Sequence, residues 1–361
     1  MLNANKQQIL HIMCNDKFSS GYINFMKISM TEWKHEFVLL GTEFELKLIN
    51  YDNIYSIKNH KELLTDRKIR SLLKNADKII ISGFFNFYFE LFFMRRNLLK
   101  KIYIHLWGGD FYNMQDKIPK NDLKLHLKKF VKIYCFKKCA ALIFLINGEY
   151  EKFTEITRVK KPYFIAPMPK DPYNVINYSK YWKTSINDKK RILVGNSATV
   201  SNKHIEIFEM LKKYKDEDIQ IICPLSYGNE EYRQEVKKKG KEILGDIFCP
   251  ILDYIEKEKY IELLSTCTVG IFNNNRQQAM GNINILLYLG KKLYLRTDVS
   301  MWDVYQERGY DIFSVETIPQ MSIEEFFKFS NEQRIQNHKI GEKYMDSKEG
   351  NICWKKVFES V

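Results

Sequence analysis

Short apolar runs alternate with amphipathic stretches along the chain. Residues 8–13, 78–82 and 101–106 are examples of the apolar runs, and each is followed within two residues by Asn or Gly. Runs of this length are typical of buried parallel strands, whereas the stretches between them have helical spacing. The sequence therefore predicts an α/β protein in which strands alternate with helices.

A chain of 361 residues is long enough for two domains. Residues 161–187 contain four Pro and few aliphatic runs, which is typical of a linker. The predicted organisation is an N-terminal domain over residues 1–165, a linker over 166–188, a second domain over 189–335 and a helical tail over 336–361.

Within the first half, the pattern predicts a third strand at Lys47–Ile49 and a last strand at Ala140–Ile146. It predicts one long helix over the aromatic segment Phe84–Lys101 and a basic amphipathic helix over Leu123–Lys138. Residues Trp354–Phe358 in the tail are amphipathic enough to pack back on the body.

The stretch RILVGNSATVSNKHIE, residues 191–206, predicts a strand, a loop of small residues and a helix. Ser201 or Asn202 is the expected cap of a helix that begins near Lys203. Backbone N–H groups and the helix dipole converge at such a junction and favour an anion such as a diphosphate. An ordinary strand-to-helix turn has the same local pattern. The side chains able to add hydrogen bonds are Asn196, Ser197, Asn202 and His204.

A second polar loop, NNNRQQAMGN, follows the predicted strand Thr268–Phe272. Its Arg276 can fork onto phosphate oxygens, and Gly281 and Asn282 allow a close backbone approach at a helix start. Several amides and an Arg after a buried strand are costly unless satisfied. The pattern therefore favours a polar ligand over simple packing.

Three polar residues follow or end strands in the first half. Asp16 and the loop Ser19–Gly21 come after the first strand, where open α/β sheets bind ligands. His105 and Asp110 flank the turn Trp107–Gly109 and are candidates for a general base. A loop cap, a core His and a turn-forming Asp are the structural alternatives.

A net charge of +13 indicates an anionic partner, which can be nucleic acid, a membrane surface or a small molecule. Residues 81–140 hold 12 Lys/Arg against 4 Asp/Glu. Residues 84–138 fit either core helices with solvated basic faces or helices on a membrane interface. Signatures of zinc fingers, basic zippers and RNA-recognition modules are missing from the sequence, so nucleic acid is not the predicted partner.

The seven Cys include no CxxC pair, which favours free thiols in a reducing cytosol. The N-terminus lacks the apolar region of a signal peptide. The longest apolar stretch, Ile79–Phe93, is too short for a membrane span and contains Asn86 and Glu90. We therefore expect a soluble or peripheral protein.

Five stretches occur in the order and spacing of a known family: HIMCNDKFSSGYINFM (11–26), HLWGGDFY (105–112), GNSATVSNKHIE (195–206), PLSYGNEEY (224–232) and RQQAMGNINILLYLGKK (276–292). Over most of its length the chain resembles the bacterial TDP-N-acetylfucosamine:lipid II N-acetylfucosaminyltransferases, glycosyltransferase family 56. Two departures lie in the loops near Asp16 and Asp110. Cys14-Asn15-Asp16 replaces a Gly-Ser-Asp-like turn, and Gly109 stands where the family has Ala.

The resemblance implies a GT-B fold, with two Rossmann-like domains facing a cleft and the C-terminal helix packing back on the N-terminal domain. It implies transfer of a 4-acetamido-4,6-dideoxyhexose from a TDP-sugar to an undecaprenyl-diphosphate-linked glycan, as in enterobacterial common antigen or O-antigen synthesis. The enzyme would need no cofactor or catalytic metal. It would lie on the anionic cytoplasmic face of the inner membrane, with no nucleic-acid partner.

On this basis Asp110 is the expected general base, with His105 and Asp16 behind it. The expected donor-binding residues are Gly195, Asn196, Ser197, Asn202, His204, Tyr227, Arg276, Gln277, Gln278, Gly281 and Asn282. Two alternatives remain at this point. One is a GT-B transferase that uses a UDP- or GDP-sugar, and the other is a non-catalytic basic protein that binds nucleic acid or a membrane surface.

Overall fold

The structure is a computed structural model that describes residues 6–41, 44–85, 87–115, 118–172, 175–184, 190–345 and 348–360. The strands are β1 (Gln8–Cys14), β2 (Lys34–Leu40), β3 (Ile54–Ile57), β4 (Lys78–Ser82), β5 (Ile102–Leu106), β6 (Ala141–Phe144), β7 (Tyr163–Ile165), β8 (Lys190–Val194), β9 (Ile219–Pro224), β10 (Phe248–Ile251), β11 (Val269–Phe272), β12 (Lys292–Leu295) and β13 (Phe313–Ser314).

The α-helices are α1 (Ser19–Ser29), α2 (Glu62–Thr65), α3 (Arg67–Asn75), α4 (Tyr88–Phe93), α5 (Arg96–Leu99), α6 (Gly109–Tyr112), α7 (Leu123–Lys138), α8 (Glu149–Thr157), α9 (Ser179–Thr184), α10 (His204–Leu211), α11 (Glu230–Leu244), α12 (Lys257–Thr266), α13 (Met280–Tyr288), α14 (Ser300–Glu307), α15 (Ile323–Phe327), α16 (Asn331–Met345) and α17 (Lys348–Glu359). Short 3₁₀ turns lie at Val200–Asn202, Lys212–Tyr214, Gly245–Ile247 and Val315–Gln320. Within the described ranges, no helix is both long enough and apolar enough to cross a membrane.

The chain forms two compact units, one of residues 1–175 with 347–361 and the other of residues 176–346. In the described part of the first unit, sheet 1 has the parallel strand order β3-β2-β1-β4-β5-β6-β7. In that of the second unit, sheet 2 has the parallel order β10-β9-β8-β11-β12-β13. The prediction of two α/β halves is therefore confirmed.

Both faces of sheet 1 are covered, as parallel strands require. Leu10 and Ile12 of β1 enter one apolar cluster, whereas Ile9 and Met13 enter the other. Residues i and i+2 of a strand share a face, so an apolar run buries alternate side chains on opposite sides. This explains why the strands read as continuous apolar runs in the sequence.

Helix α17 completes the core of the first unit, and the expected return of the C-terminal helix is confirmed. Its Trp354, Val357 and Phe358 are buried against residues of sheet 1 and α1. Lys78 Nζ of β4 donates to the carbonyl oxygens of Val357 and Phe358 at 2.9 and 2.8 Å. Helix α16, which falls largely in the expected tail over 336–361, belongs instead to the second unit.

Other predicted elements differ from the structure. Residues Lys47–Ile49 are not a strand, and the third strand is β3. The predicted helix Phe84–Lys101 is divided into α4 and α5, because Met94 turns to extended backbone and is itself buried. Strand β7 lies just before the predicted linker over 166–188, so β6 is not the last strand of the first unit. Residues 173–174 and 185–189 of that region lie outside the described residues.

Candidate functional site

Both sheets contain a point from which successive strands leave in opposite directions. In sheet 1 the chain runs outward from β1 to β3 and then returns to β4 on the other side of β1. In sheet 2 the same reversal lies between β8 and β11. Ligands of open α/β sheets bind beyond the carboxyl ends of the strands at such a switch point. The loops after β1, β4, β8 and β11 are therefore the structural candidates for function.

The loop after β8 begins at Gly195, whose φ of +68° lies in the left-handed region. A Cβ atom at this position would lie 2.5 Å from His204 Nε2 and 2.8 Å from Asn202 Oδ1. Any side chain would collide with these two residues as well as strain the backbone. The structure thus brings together Gly195, Asn202 and His204, which the sequence assigned to the donor site.

Asn202 holds the loop after β8 in place. Its Oδ1 accepts from the backbone N–H of Asn196 at 3.1 Å, and its Nδ2 donates to the carbonyl oxygen of Ser197 at 3.2 Å. Helix α10 begins after Lys203 in a left-handed conformation, and no described side chain caps it. The predicted cap at Ser201 or Asn202 is therefore wrong, because the Asn202 side chain satisfies backbone groups of the loop instead.

Gln278 joins the loop after β11 to the loop after β8. Its Nε2 donates to Asn196 Oδ1 at 3.1 Å and to Ser197 Oγ at 3.3 Å. Its Oε1 accepts from Ser201 Oγ at 2.5 Å. The backbone N–H of Asn275 also donates to the Ser201 carbonyl oxygen at 3.0 Å. We call this pair of hydrogen-bonded loops, residues 195–202 and 273–279, the loop junction.

His204 is fully buried beneath the loop junction, and burial lowers its pKa to about 3. The Tyr232 hydroxyl lies 3.3 Å from both the backbone N and Nδ1 of His204. Among the described residues, the buried Nε2 has no hydrogen-bond partner. His204 is therefore a neutral imidazole that packs beneath Gly195.

The loop after β9 closes on the loop after β8. Ala198 N donates to Tyr227 O, and Asn229 N donates to Ala198 O, both at 2.8 Å. Gly228 has a φ of +124°, and a Cβ there would collide with the Ala198 carbonyl. The Tyr227 hydroxyl accepts from Asn196 Nδ2 at 2.9 Å while its ring is 44% exposed. Tyr227 thus offers an accessible aromatic ring beside the loop junction.

The other expected donor residues lie on the loop after β11 and the first turn of α13. Arg276 is partly exposed, and its Nη1 donates to the Gln277 carbonyl oxygen at 3.2 Å. Gln277 is buried. Asn282 Nδ2 donates to the hydroxyl of Tyr260 at 2.8 Å. Of these side chains, Arg276 carries the positive charge, which suits an anionic ligand.

Gly281 was expected to allow a close backbone approach, and that role stays a prediction. It lies in the first turn of α13, and a Cβ there would meet open space. The left-handed residue of this loop is Ala279, with a φ of +60°. A left-handed Ala costs roughly 1 kcal/mol or more, so the surrounding hydrogen bonds must hold the loop in this form.

Sequence reasoning missed Asn274, which is fully buried within the loop junction. Its Nδ2 donates to Asn202 Oδ1 at 3.1 Å. The neighbouring Asn273 donates to Glu206 Oε2 at 3.0 Å and so ties the loop to α10. The run of three Asn after a buried strand was the signal available. Which of the three turns inward depends on the loop conformation, which the sequence does not specify.

Asp16 follows β1 at the switch point of sheet 1. Its Oδ1 accepts from the backbone N–H of Phe18 at 2.8 Å, and Ser19 Oγ lies 3.4 Å away. The side chain is half-buried, and burial raises the pKa of its carboxyl despite these hydrogen bonds. The Phe18 ring packs edge-on against Trp107, with centroids 5.6 Å apart. Asp16 therefore combines partial exposure with a raised proton affinity.

Asp110 is fully buried on α6 and holds two loops together. Its carboxylate accepts from the backbone N–H of Trp107 at 3.0 and 3.1 Å and from that of Phe84 at 3.1 Å. Burial raises the pKa of this carboxyl. Because its oxygens are enclosed and bonded to the backbone, Asp110 is a poor candidate for the expected general base.

His105 lies inside the core of the first unit. Its Nδ1 is 3.0 Å from Ser82 Oγ, and its ring meets that of Trp354 edge-on with centroids 5.1 Å apart. Burial lowers its pKa to about 3. Since the imidazole is enclosed between sheet 1 and α17, His105 is a poor candidate for the expected base.

The candidate loops of both sheets lie in a segment that matches one protein family. Residues 15–337 match the profile of the family described as 4-alpha-L-fucosyltransferase, glycosyl transferase group 56. The chain belongs to glycosyltransferase group 56. The resemblance seen in the sequence is therefore confirmed, and the protein is a glycosyltransferase enzyme. The alternative of a non-catalytic binding protein is therefore wrong.

Solved structures share the fold of this group 56 protein at low identity. A glycosyltransferase from Rickettsia africae ESF-5 is 14% identical, with a TM-score of 0.63 over 99% of this chain and 100% of that chain. The E. coli structure described as trehalose-6-phosphate bound with UDP-2-fluoro glucose is 11% identical, with a TM-score of 0.65 over 98% and 99% of the two chains. These likenesses establish a two-domain α/β fold of the GT-B class.

Proposed function

We propose that this group 56 enzyme transfers a 4-acetamido-4,6-dideoxyhexose from a TDP-sugar to an undecaprenyl-diphosphate-linked glycan. The product would belong to a bacterial surface polysaccharide such as enterobacterial common antigen or O-antigen. The observation that carries the proposal is the loop junction, which Gln278 closes at the switch point of sheet 2. Two of the stretches that resemble the TDP-N-acetylfucosamine transferases, 195–206 and 276–292, contain nearly all of it.

In this proposal the loop junction binds the donor diphosphate. Arg276 supplies a positive charge, and the buried His204 packs beneath Gly195 at the start of the loop. The amide side chains of Asn202 and Gln278 fix the loop backbones before the ligand arrives. Donors that are already oriented stabilise the negative charge that grows on the leaving diphosphate at little reorganisation cost.

The base and the sugar of the donor have separate candidates. Tyr227 beside Asn196 offers a partly exposed ring for the thymine, and Tyr254 in the loop after β10 is also exposed. Gln277 and Asn282 carry amides that suit the hydroxyl and acetamido groups of the sugar. In these assignments, all parts of the donor are bound by residues of the second unit.

For the acceptor we assign Asp16 as the general base of an inverting transfer. The attacking hydroxyl must lose a proton, and a half-buried carboxylate with a raised pKa is suited to accept it. Asp16 replaces Asp110 and His105 in this role because both of those side chains are enclosed. The reaction needs no cofactor in this scheme, and the lipid-linked acceptor places the enzyme on the cytoplasmic face of the inner membrane.

The first test is thermal stabilisation of the purified protein by TDP, UDP and GDP, each with and without Mg²⁺. A ligand that binds only the native state stabilises it by RT ln(1 + [L]/Kd), which is about 2.7 kcal/mol at a hundredfold excess over Kd. We expect a rise in melting temperature with TDP that does not require metal.

A shift with UDP or GDP in place of TDP would overturn the TDP assignment and leave the transferase in place. No shift with any of the three nucleotides would overturn the donor role of the loop junction. The matched control is the Gly195→Ala variant, in which a Cβ would meet His204 Nε2 and Asn202 Oδ1. It should lose the TDP shift.

A further inference from the structure

The solvent side of α7 carries an apolar stripe, of which Tyr134 also packs against the core. Leu123, Leu127, Phe130 and Tyr134 follow the spacing i, i+4, i+7 and i+11, so they lie along one face of the helix. Leu123, Leu127 and Phe130 are 78%, 52% and 60% exposed. Another face of α7 enters the core, through buried residues such as Cys135 and Phe136.

Helix α4 widens this stripe. The Phe92 ring lies 4.9 Å from Tyr134 and 6.4 Å from Phe130, measured between centroids. Phe93 next to it is 71% exposed, and its ring centroid lies 5.4 Å from that of Phe92. We call Phe92, Phe93, Leu123, Leu127, Phe130 and Tyr134 the apolar stripe. An exposed apolar surface of several adjoining large side chains marks an interaction site.

A basic pocket lies at the carboxyl end of the same helix. It has a volume of about 260 Å³, and its described lining includes no carboxylate. Its cations are Arg96, Lys100, Lys137, Lys138 and Lys161. Lys137 and Lys138 follow Tyr134 by three and four residues, so they continue the line of the apolar stripe. Five cations without an acid among them favour a phosphate group.

We propose that the apolar stripe and the basic pocket together dock the first unit on an anionic phospholipid bilayer. The stripe enters the boundary of the acyl chains, and the pocket binds a lipid phosphate. This docking surface rests on the proposed function, in which the acceptor is anchored in a membrane.

Charge decides the occupant. Along α7 the two features span roughly 22 Å, at 1.5 Å per residue, which is a long strip rather than a pit. A helix with large apolar side chains on its exposed face and cations beside them is the arrangement that lies in an anionic membrane interface. A second copy of this chain would present the same cations, and two such basic pockets would repel each other.

The test is co-sedimentation of the full chain with vesicles of phosphatidylcholine alone or with 30% phosphatidylglycerol. We expect binding to the anionic vesicles that weakens as salt rises. The double variant Leu127→Ser/Phe130→Ser should bind at least tenfold more weakly. The double variant Lys137→Gln/Lys138→Gln should bind about thirtyfold more weakly, from about fivefold per charge. Both pairs are at the surface, so the fold should survive.

Matched controls separate the surface from general effects. Ile352→Ser removes an apolar side chain that is 59% exposed on α17, and Lys237→Gln/Lys238→Gln removes two exposed charges from α11. Both controls should bind vesicles like the wild type. Equal binding by stripe, pocket and control variants would overturn the proposal, and so would failure of the wild type to bind anionic vesicles.

The nucleotide test distinguishes failure of this docking surface from failure of the proposed function. All four variants should keep the wild-type shift in melting temperature with TDP. If TDP raises the melting temperature but the protein does not bind vesicles, the docking surface alone is overturned. Light scattering could instead show a dimer that dissociates in the Leu127→Ser/Phe130→Ser variant. That result, without vesicle binding, would overturn the bilayer as the occupant.

Discussion

The carboxyl edges of the two sheets use their polar residues in different ways. At sheet 2, amide and hydroxyl side chains from two loops bond to one another and hold the loop junction open to solvent on one side, where Arg276 and Tyr227 are partly exposed. At sheet 1, His105 and Asp110 are turned inward and bond to the protein itself, and Asp16 stays half-buried. The polar side chains of sheet 2 therefore join two loops beside partly exposed groups, whereas His105 and Asp110 of sheet 1 serve the interior of the first unit.

This difference teaches how much weight a single polar residue deserves. Asp110 sits after a strand and a Gly-Gly turn, which suggests catalysis, yet its carboxylate serves three backbone hydrogen bonds. A charged group can be buried when enough donors surround it. The loop junction was easier to recognise because it needs many polar residues at once, and a packed core rarely contains so many.

The largest expected effect separates Asp16 from Asp110. Asp16→Asn should lower kcat by roughly 10² to 10⁴, which is the range of general-base catalysis, and leave the melting temperature nearly unchanged. Asp110→Asn should instead destabilise the fold by about 2 kcal/mol, because one acceptor oxygen becomes an NH₂ group that faces backbone N–H groups. Initial rates with a lipid-linked acceptor and thermal melts check both halves.

The paired design also shows what would break the comparison. If Asp16→Asn turns over like the wild type, the first edge has no base at Asp16 and the transfer does not need one there. If Asp110→Asn keeps its melting temperature but loses turnover, the buried carboxylate is catalytic after all. The raised pKa of Asp16 also predicts a pH dependence. Turnover should fall as acid protonates this carboxylate, at a pH above the usual range of an aspartate.

The next effect belongs to the second edge. Arg276→Ala should lower the transfer rate by roughly 10² to 10³ with the fold intact, because in the proposed donor site the guanidinium stabilises the charge on the leaving diphosphate. Arg276→Lys should recover only part of the rate, since an ammonium cannot bond two phosphate oxygens in the planar geometry of a guanidinium.

Steady-state kinetics and TDP melts test this prediction together. The control is Arg233→Ala on α11, where one guanidinium nitrogen lies 2.7 Å from Glu230 Oε2. It should leave the transfer rate close to that of the wild type. Wild-type turnover by Arg276→Ala would exclude the guanidinium from the diphosphate site.

Much of the fold was predictable because it depends on local patterns. Helix α7 lies over the residues predicted, and β4 and β11 come within one residue of their predicted bounds. Strand β3 was missed because its side chains are mostly part-exposed and give no apolar run. The break between α4 and α5 was missed because burial of Met94, a tertiary contact, decides it.

The candidate site was predictable in its loops but less so in its individual roles. Residues 195–202 and 273–279 each carry an unusual density of small and amide side chains, so the sequence located them. The role of Asn202 as a loop clamp rather than a helix cap depends on Gly195 taking a left-handed turn. Such reversals arise from hydrogen bonds between segments distant in sequence, which no local pattern specifies.

The smallest expected effect concerns acid stability, and it is shared by the two edges. Burial lowers the pKa of His105 and of His204 to about 3, whereas the unfolded value is about 6.5. Between these values the unfolded chain binds more protons, so stability rises with pH through this window and is lost as pH falls below about 6.5. At pH 5 each histidine should lower the free energy of unfolding by about 2 kcal/mol relative to neutral pH.

Thermal melts of the wild type, His105→Gln and His204→Gln at pH 7.5 and 5.0 check this prediction. Each variant should lose less melting temperature on acidification than the wild type does, and equal losses would mean that these imidazoles are already accessible to protons in the native state.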